Sequence, residues 1–198
     1  MKKQIFVVHG GNAFPTYEEY ISYLKNETID IERFKVRGWK SSLSEKLGEA
    51  YEIIQPRMPN PEDAKYLEWK IWFEKFIPFL NDNVILLGHS LGGIFLAKYL
   101  SENDFLKKIQ ATFLIAAPFD RDEDRAIVQF NLPKSLEKLK EQGGDIFLYH
   151  SKDDPVVQFS ELAKYQQALP HAKVNIFEDR QHFNQEQFQE IVEAIKNL

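Results

Sequence analysis

The chain contains no cysteine in 198 residues. That excludes a disulfide framework, a zinc–thiolate site and a cysteine nucleophile, and it fits a cytoplasmic location. Long apolar runs are also missing. The first, Ile5 to Val8, is closed by His9-Gly10-Gly11, well short of the roughly 7–15 residues of a secretory-signal core. Nothing approaches the roughly 20 apolar residues of a membrane span. Basic residues are scattered, no Lys/Arg block stands out, and the net charge is −5, so neither a nucleic-acid partner nor a membrane is expected. Neither G-x-G-x-x-G nor G-x-x-x-x-G-K-[ST] occurs, which removes the usual nucleotide-binding signatures. The five histidines are single and scattered, so no metal site and no cofactor are expected. Internal repeats, low-complexity stretches and linkers are absent, and residues 1–198 read as a single domain.

What is present is an ordinary globular composition, 43% hydrophobic and 28% charged. The 16 phenylalanines suit a bulky core, or else an aromatic-lined pocket. Strand-like and helix-like segments alternate along the chain. Strands are predicted at residues 4–8, 33–36, 83–87, 111–116, 145–149 and 173–177. Most are short, continuously apolar runs, the pattern of strands buried on both faces of a parallel sheet. Helices are predicted at 17–25, 61–77, 91–101, 134–141, 158–168 and 184–197. Asn60-Pro61 reads as a helix start, with a capping side chain before a proline. Phe188, Ile191, Val192 and Ile195 form one apolar stripe in the last helix. The expected fold is α/β: a doubly wound, mainly six-stranded parallel sheet with helices on both faces. The charged stretch 119–133 is a solvated loop or a small lid.

The sharpest signal is Val84-Ile85-Leu86-Leu87-Gly88-His89-Ser90-Leu91-Gly92-Gly93. A buried-strand pattern runs into Gly-His-Ser-Leu-Gly, and a helical pattern follows. This is the G-x-S-x-G nucleophile elbow in its strand–turn–helix setting, with Ser90 as the nucleophile. Glycine serves two residues before and two after the serine because the backbones there approach too closely for side chains. The helix that follows aims its first amides at the site, where negative charge develops.

A serine hydroxyl needs a base to take its proton. In this architecture the acid and the histidine follow the serine, each after a later strand. The segment after residues 145–149 carries Asp153-Asp154-Pro155, and the segment after 173–177 carries Gln181-His182-Phe183. Two βα units fit between Ser90 and Asp154, and one between Asp154 and His182. Among the histidines only His182 lies just past the C-terminal end of the last strand, where open α/β sheets build their sites. His9 is expected to support the first glycine loop. Either aspartate could face His182. Asp154 is preferred because Pro155 disfavours a helical backbone at the residue before it, which leaves Asp153 as a solvated or loop-capping neighbour. The oxyanion donors are expected to be the amides of Leu91 and Gly11, with Asn12 as the alternative to Gly11. Asn12, His89 and Phe119 are candidates for lining a substrate pocket.

With these motifs in place, the chain resembles the small α/β-hydrolase family that includes YdeN-like proteins and the serine hydrolase retinoblastoma-binding protein 9. The resemblance spans nearly the whole chain. It rests on Val8-His9-Gly10, Pro59-Asn60-Pro61 leading to Trp72, Gly88-His89-Ser90-Leu91-Gly92-Gly93, Ala116-Ala117-Pro118-Phe119, Asp153-Asp154-Pro155 and Gln181-His182-Phe183. It implies a compact hydrolase whose triad falls on Ser90, Asp154 and His182. One departure is visible: Arg180 and Gln181 stand where many hydrolases have glycines before the histidine. The expected activity is hydrolysis of a carboxylic ester or a similar small acyl substrate. An amidase or thioesterase would use the same residues. The competing reading is a protein-interaction module on a hydrolase scaffold, although a retinoblastoma-type L-x-C-x-E contact cannot exist in a chain without cysteine. The short, charged stretch 119–133 favours small, water-soluble esters over long-chain lipids.

Overall fold

The apolar run after Lys3 forms the first strand, β1 (Lys3–Val8), buried along nearly its whole length. The computed structural model describes residues 2–29, 31, 38–119 and 125–198. The other described strands are β2 (Tyr51–Ile54), β3 (Val84–His89), β4 (Ile109–Ile115), β5 (Asp145–Ser151) and β6 (Lys173–Phe177). All pair in parallel, in the order β2-β1-β3-β4-β5-β6. The strand order therefore reverses between β1 and β3, the place where open α/β sheets form their crevice. The register aligns the C-terminal ends: Val8 lies beside Gly88, His89 beside Ile115, Ile115 beside Tyr149, and Ser151 beside Phe177. The loops that leave those ends share one edge of the sheet.

Helices cover both faces. One face packs α3 (Tyr66–Phe76), α4 (Leu91–Glu102), α5 (Glu137–Gln142) and α6 (Ser160–Ala168) over Phe6, Val8, Leu86, Leu114 and Leu148. The other packs a 3₁₀ turn (Trp39–Ser42), α2 (Leu43–Leu47) and α7 (Gln189–Lys196) over Ile5, Val7, Leu87, Phe113 and Tyr149. Alternate residues of each strand thus feed opposite cores, as the twofold pleat requires. The apolar stripe of α7 is fully committed, since Phe188, Ile191, Val192 and Ile195 are all buried. The exposed α1 (Tyr17–Asn26) is capped by Thr16, whose hydroxyl accepts from the Glu19 amide.

The segment 33–36 lies outside the described residues, and the strand beside β1 is Tyr51–Ile54. That strand is a short, half-buried edge with one charged residue, so it carries neither a continuous apolar run nor a clean alternation. The helix expected from Pro61 begins at Tyr66. Asn60 takes a left-handed φ of 42°, and residues 60–63 close a turn through the Asp63 amide and the Asn60 carbonyl at 2.9 Å. The tryptophan tied to the Pro59 segment is Trp69, whose indole donates to the Pro59 carbonyl at 2.8 Å. Trp72 instead faces outward at 37% exposure. Within 119–133, residues 125–130 form a 3₁₀ helix (Arg125–Phe130) that ends on the buried Phe130.

Candidate active site

Ser90 stands between β3 and α4 with φ 56° and ψ −123°, a conformation that an L-residue adopts only under constraint. The constraints are visible. A Cβ on Gly92 would collide with the Val8 and His9 carbonyls, and one on Gly88 would collide with the Gly92 carbonyl. The Ser90 amide donates to the Ile115 carbonyl at 2.8 Å. The first loop crowds the same spot, for a Cβ on Gly10 would lie 3.6 Å from Ser90 Oγ.

The structure brings Asp154 and His182 together. His182 Nδ1 donates to Asp154 Oδ2 at 2.9 Å and lies 3.1 Å from Oδ1. The carboxylate side chain is fully buried, and the imidazole is 10% exposed. Asp154 Oδ1 also accepts from the amides of Val156 and Val157 at 2.8 and 3.0 Å. Burial alone would raise this carboxyl. The hydrogen bonds from His182 and from the two amides outweigh burial and hold it below the usual carboxylate range. With its Nδ1 proton so engaged, His182 keeps Nε2 as the free lone pair. Ser90 Oγ and the His182 ring are not hydrogen-bonded. Such contacts often tighten only once substrate is bound.

Asp153 faces elsewhere. Its Oδ1 accepts from the Ser151 hydroxyl at 2.5 Å and from the Gln181 amide at 2.9 Å, and the Ser151 bond in particular lowers its pKa. Ser151 Oγ in turn accepts from the Arg180 amide at 2.9 Å. Gln181 itself has φ 47°, a left-handed position that glycine takes without strain. The departure at residues 180–181 is therefore accommodated: side chains of the acid loop clamp the backbone of the histidine loop. Asp153 is exposed and braces the two loops, in keeping with the loop-capping alternative expected for it.

The first loop is held as firmly. His9 Nε2 accepts from the Met58 amide at 2.8 Å, so Nδ1 carries the proton and donates to the Gly10 carbonyl at 2.6 Å. In a trans peptide, fixing the Gly10 carbonyl points the Gly11 N–H the opposite way. That amide bonds to no described residue. The Asn12 amide donates to the Pro61 carbonyl at 2.8 Å, so of the two candidates only Gly11 has an N–H without a partner among the described residues. Leu91 opens α4, and its amide has no intrahelical partner.

The suggested pocket residues separate. Asn12 is exposed on the first loop, its amide 3.5 Å from the Tyr23 hydroxyl. Phe119 is half-buried against Tyr165, and its amide donates to the buried Glu161 at 2.9 Å. His89 is only 4% exposed and lies under the His182 loop, so it lines no open pocket. The sequence reading missed Trp39, Lys40, Ser151 and Glu161. Except for the Ser151–Asp153 contact, they lie far along the chain from the groups they hold, and no local motif marks them.

Comparisons with known proteins bear on family and fold. Residues 34–198 match the family described as serine hydrolase. Over 164 residues the chain is 26% identical to the rat (Rattus norvegicus) serine hydrolase RBBP9, covering 81% of this chain and 84% of that protein. Its fold is similar to that of the ydeN gene product from B. subtilis, with TM-score 0.76 at 18% identity over 99% of this chain and 98% of that one. It is also similar to an esterase domain from a Rhodothermus marinus protein, with TM-score 0.61 at 14% identity over 98% and 82%. Among the described residues no group could hold a metal ion, and no helix is long and apolar enough to cross a membrane.

Proposed function

The chain belongs to the serine hydrolase family, and from that premise we propose that it cleaves a carboxylic ester or similar small acyl substrate through Ser90, His182 and Asp154. Ser90 Oγ attacks the carbonyl carbon while His182 Nε2 takes its proton. The alcohol leaves with that proton, and an acyl-enzyme remains on Ser90. Water then attacks with His182 again as base, releasing the acid and restoring the hydroxyl. Asp154 fixes the imidazole tautomer and offsets the charge that forms on the ring. The Leu91 and Gly11 amides receive the oxyanion, each contributing about 3 kcal/mol in comparable sites.

The observation that carries this reading is the His182–Asp154 hydrogen bond at 2.9 Å, taken together with an elbow serine held at φ 56°. An interaction module would have no use for a serine held in strain. The direct test is labelling with a fluorophosphonate probe. Label should be lost in Ser90→Ala and kept in Ser41→Ala. Undiminished labelling of Ser90→Ala would remove Ser90 as the nucleophile.

A further inference from the structure

The loop that carries His182 is held from below by two ring N–H groups. Trp39 Nε1 donates to the Phe183 carbonyl at 2.8 Å, and His89 Nε2 lies 2.8 Å from the His182 carbonyl. The second contact fixes a protonation state. A carbonyl oxygen only accepts, so His89 must carry its proton on Nε2. Its other nitrogen, Nδ1, lies 3.1 Å from Lys40 Nζ. An ammonium only donates, so that nitrogen must be bare. The three groups form a directed chain from Lys40 through His89 to the backbone of His182.

Lys40 is otherwise hard to account for. It is partly buried, and its ammonium lies 4.9 Å from the centre of the Trp39 ring. No described carboxylate pairs with it or with His89. Among the described residues the titratable groups around His89 are Lys40 from the 3₁₀ turn, His182 from the loop after β6 and His9 from the loop after β1. Burial, and then the Lys40 charge, keep His89 neutral. Its ring centre is 5.0 Å from that of His182.

We propose that Lys40 is a positioning residue for hydrolysis: by donating to His89 Nδ1 it selects the Nε2–H tautomer of His89, which holds the His182 backbone where the imidazole can reach Ser90. Without that donor, the ring can move its proton to Nδ1. It would then set a lone pair against the His182 carbonyl and release the loop. The inference rests on His182 being the base proposed above. Labelling of Ser90 tests that reading separately, and the tautomer of His89 is readable whether or not it holds.

The test has two parts. Nitrogen-15 NMR of the histidine rings in the wild-type protein should show His89 protonated on Nε2 and bare on Nδ1. A proton on Nδ1 overturns the proposal. Turnover of a short-chain chromogenic ester is then compared in Lys40→Met, His89→Gln and the double variant. Glutamine at 89 donates an amide N–H to the carbonyl and has no tautomer to select. Lys40→Met should lower kcat about tenfold, the worth of one charge-assisted hydrogen bond, with KM little changed, and it should have no further effect in the His89→Gln background. An unchanged kcat in Lys40→Met, or the same loss in both backgrounds, overturns the proposal. If Lys40→Met does not fold, the wild-type tautomer decides.

Discussion

Two adjacent aspartates divide the work of the acid loop. Asp154 turns inward to His182 and to two backbone amides, whereas Asp153 reaches across to Ser151 and Gln181. They should fail differently. Asparagine at 154 can present an N–H to His182 Nδ1 and favour the wrong imidazole tautomer, a change that lowered turnover by roughly four orders of magnitude in another serine hydrolase. Asp153→Asn keeps an oxygen for the Gln181 amide and should retain most activity. Asp153→Ala removes the brace and should lose about tenfold, in line with one hydrogen bond of roughly 1 kcal/mol plus loop loosening. Steady-state ester hydrolysis by the three folded variants checks the order. A larger loss in Asp153→Asn than in Asp154→Asn would exchange the two roles.

Loops, rather than strands or helices, carry the candidate site, and they are tied to one another more than to solvent. The loop after β1 is stitched to the turn before α3 on both sides of Asn12: its amide donates to the Pro61 carbonyl, and its carbonyl accepts from the Ala64 amide, each at 2.8 Å. A methyl group on Gly11 would lie 2.5 Å from the Pro61 carbonyl oxygen. Because that neighbour is backbone, the Gly11 loop itself would have to shift. Gly11→Ala should therefore displace an oxyanion donor and lower kcat by about 10²–10³. Ser90 should still be labelled by the fluorophosphonate, more slowly. An alanine variant with full kcat would remove Gly11 from the oxyanion hole. The same stitching explains why the sequence misled at Pro61. Asn60-Pro61 has the chemistry of a helix start, but the Pro61 carbonyl is engaged by the first loop, and the helix waits until Tyr66.

At the scale of the whole molecule, the legible parts were those governed by local rules. The elbow shows in the sequence because two glycines and a serine must recur at fixed spacing. The candidate acid and base show because strand ends carry loops of predictable place. The edge strand Tyr51–Ile54 does not show, being half-exposed and short. Nor does the support beneath His182, since Lys40 and His89 meet only through the fold. That support has a thermodynamic signature. Burial pushes the Lys40 ammonium from 10.5 down to about 8, while in the unfolded chain it titrates near 10.4. Below pH 8 both states hold the proton, and folding carries the full penalty of burying the charge. Between about 8 and 10.4 the unfolded chain binds more protons than the folded one, so this group's contribution to stability rises with pH. Replacing it with methionine removes that dependence and leaves the other lysines and tyrosines in place. The difference in Tm, Lys40→Met minus wild type, should therefore be most positive below pH 8 and fall steadily as pH rises toward 10. A difference that is flat from pH 7 to pH 10 would mean that Lys40 holds its proton as firmly in the fold as outside it. A falling difference, together with a loss of turnover in the same variant, would mean that the chain keeps a destabilising charge beneath its candidate site because the placement of His182 depends on it.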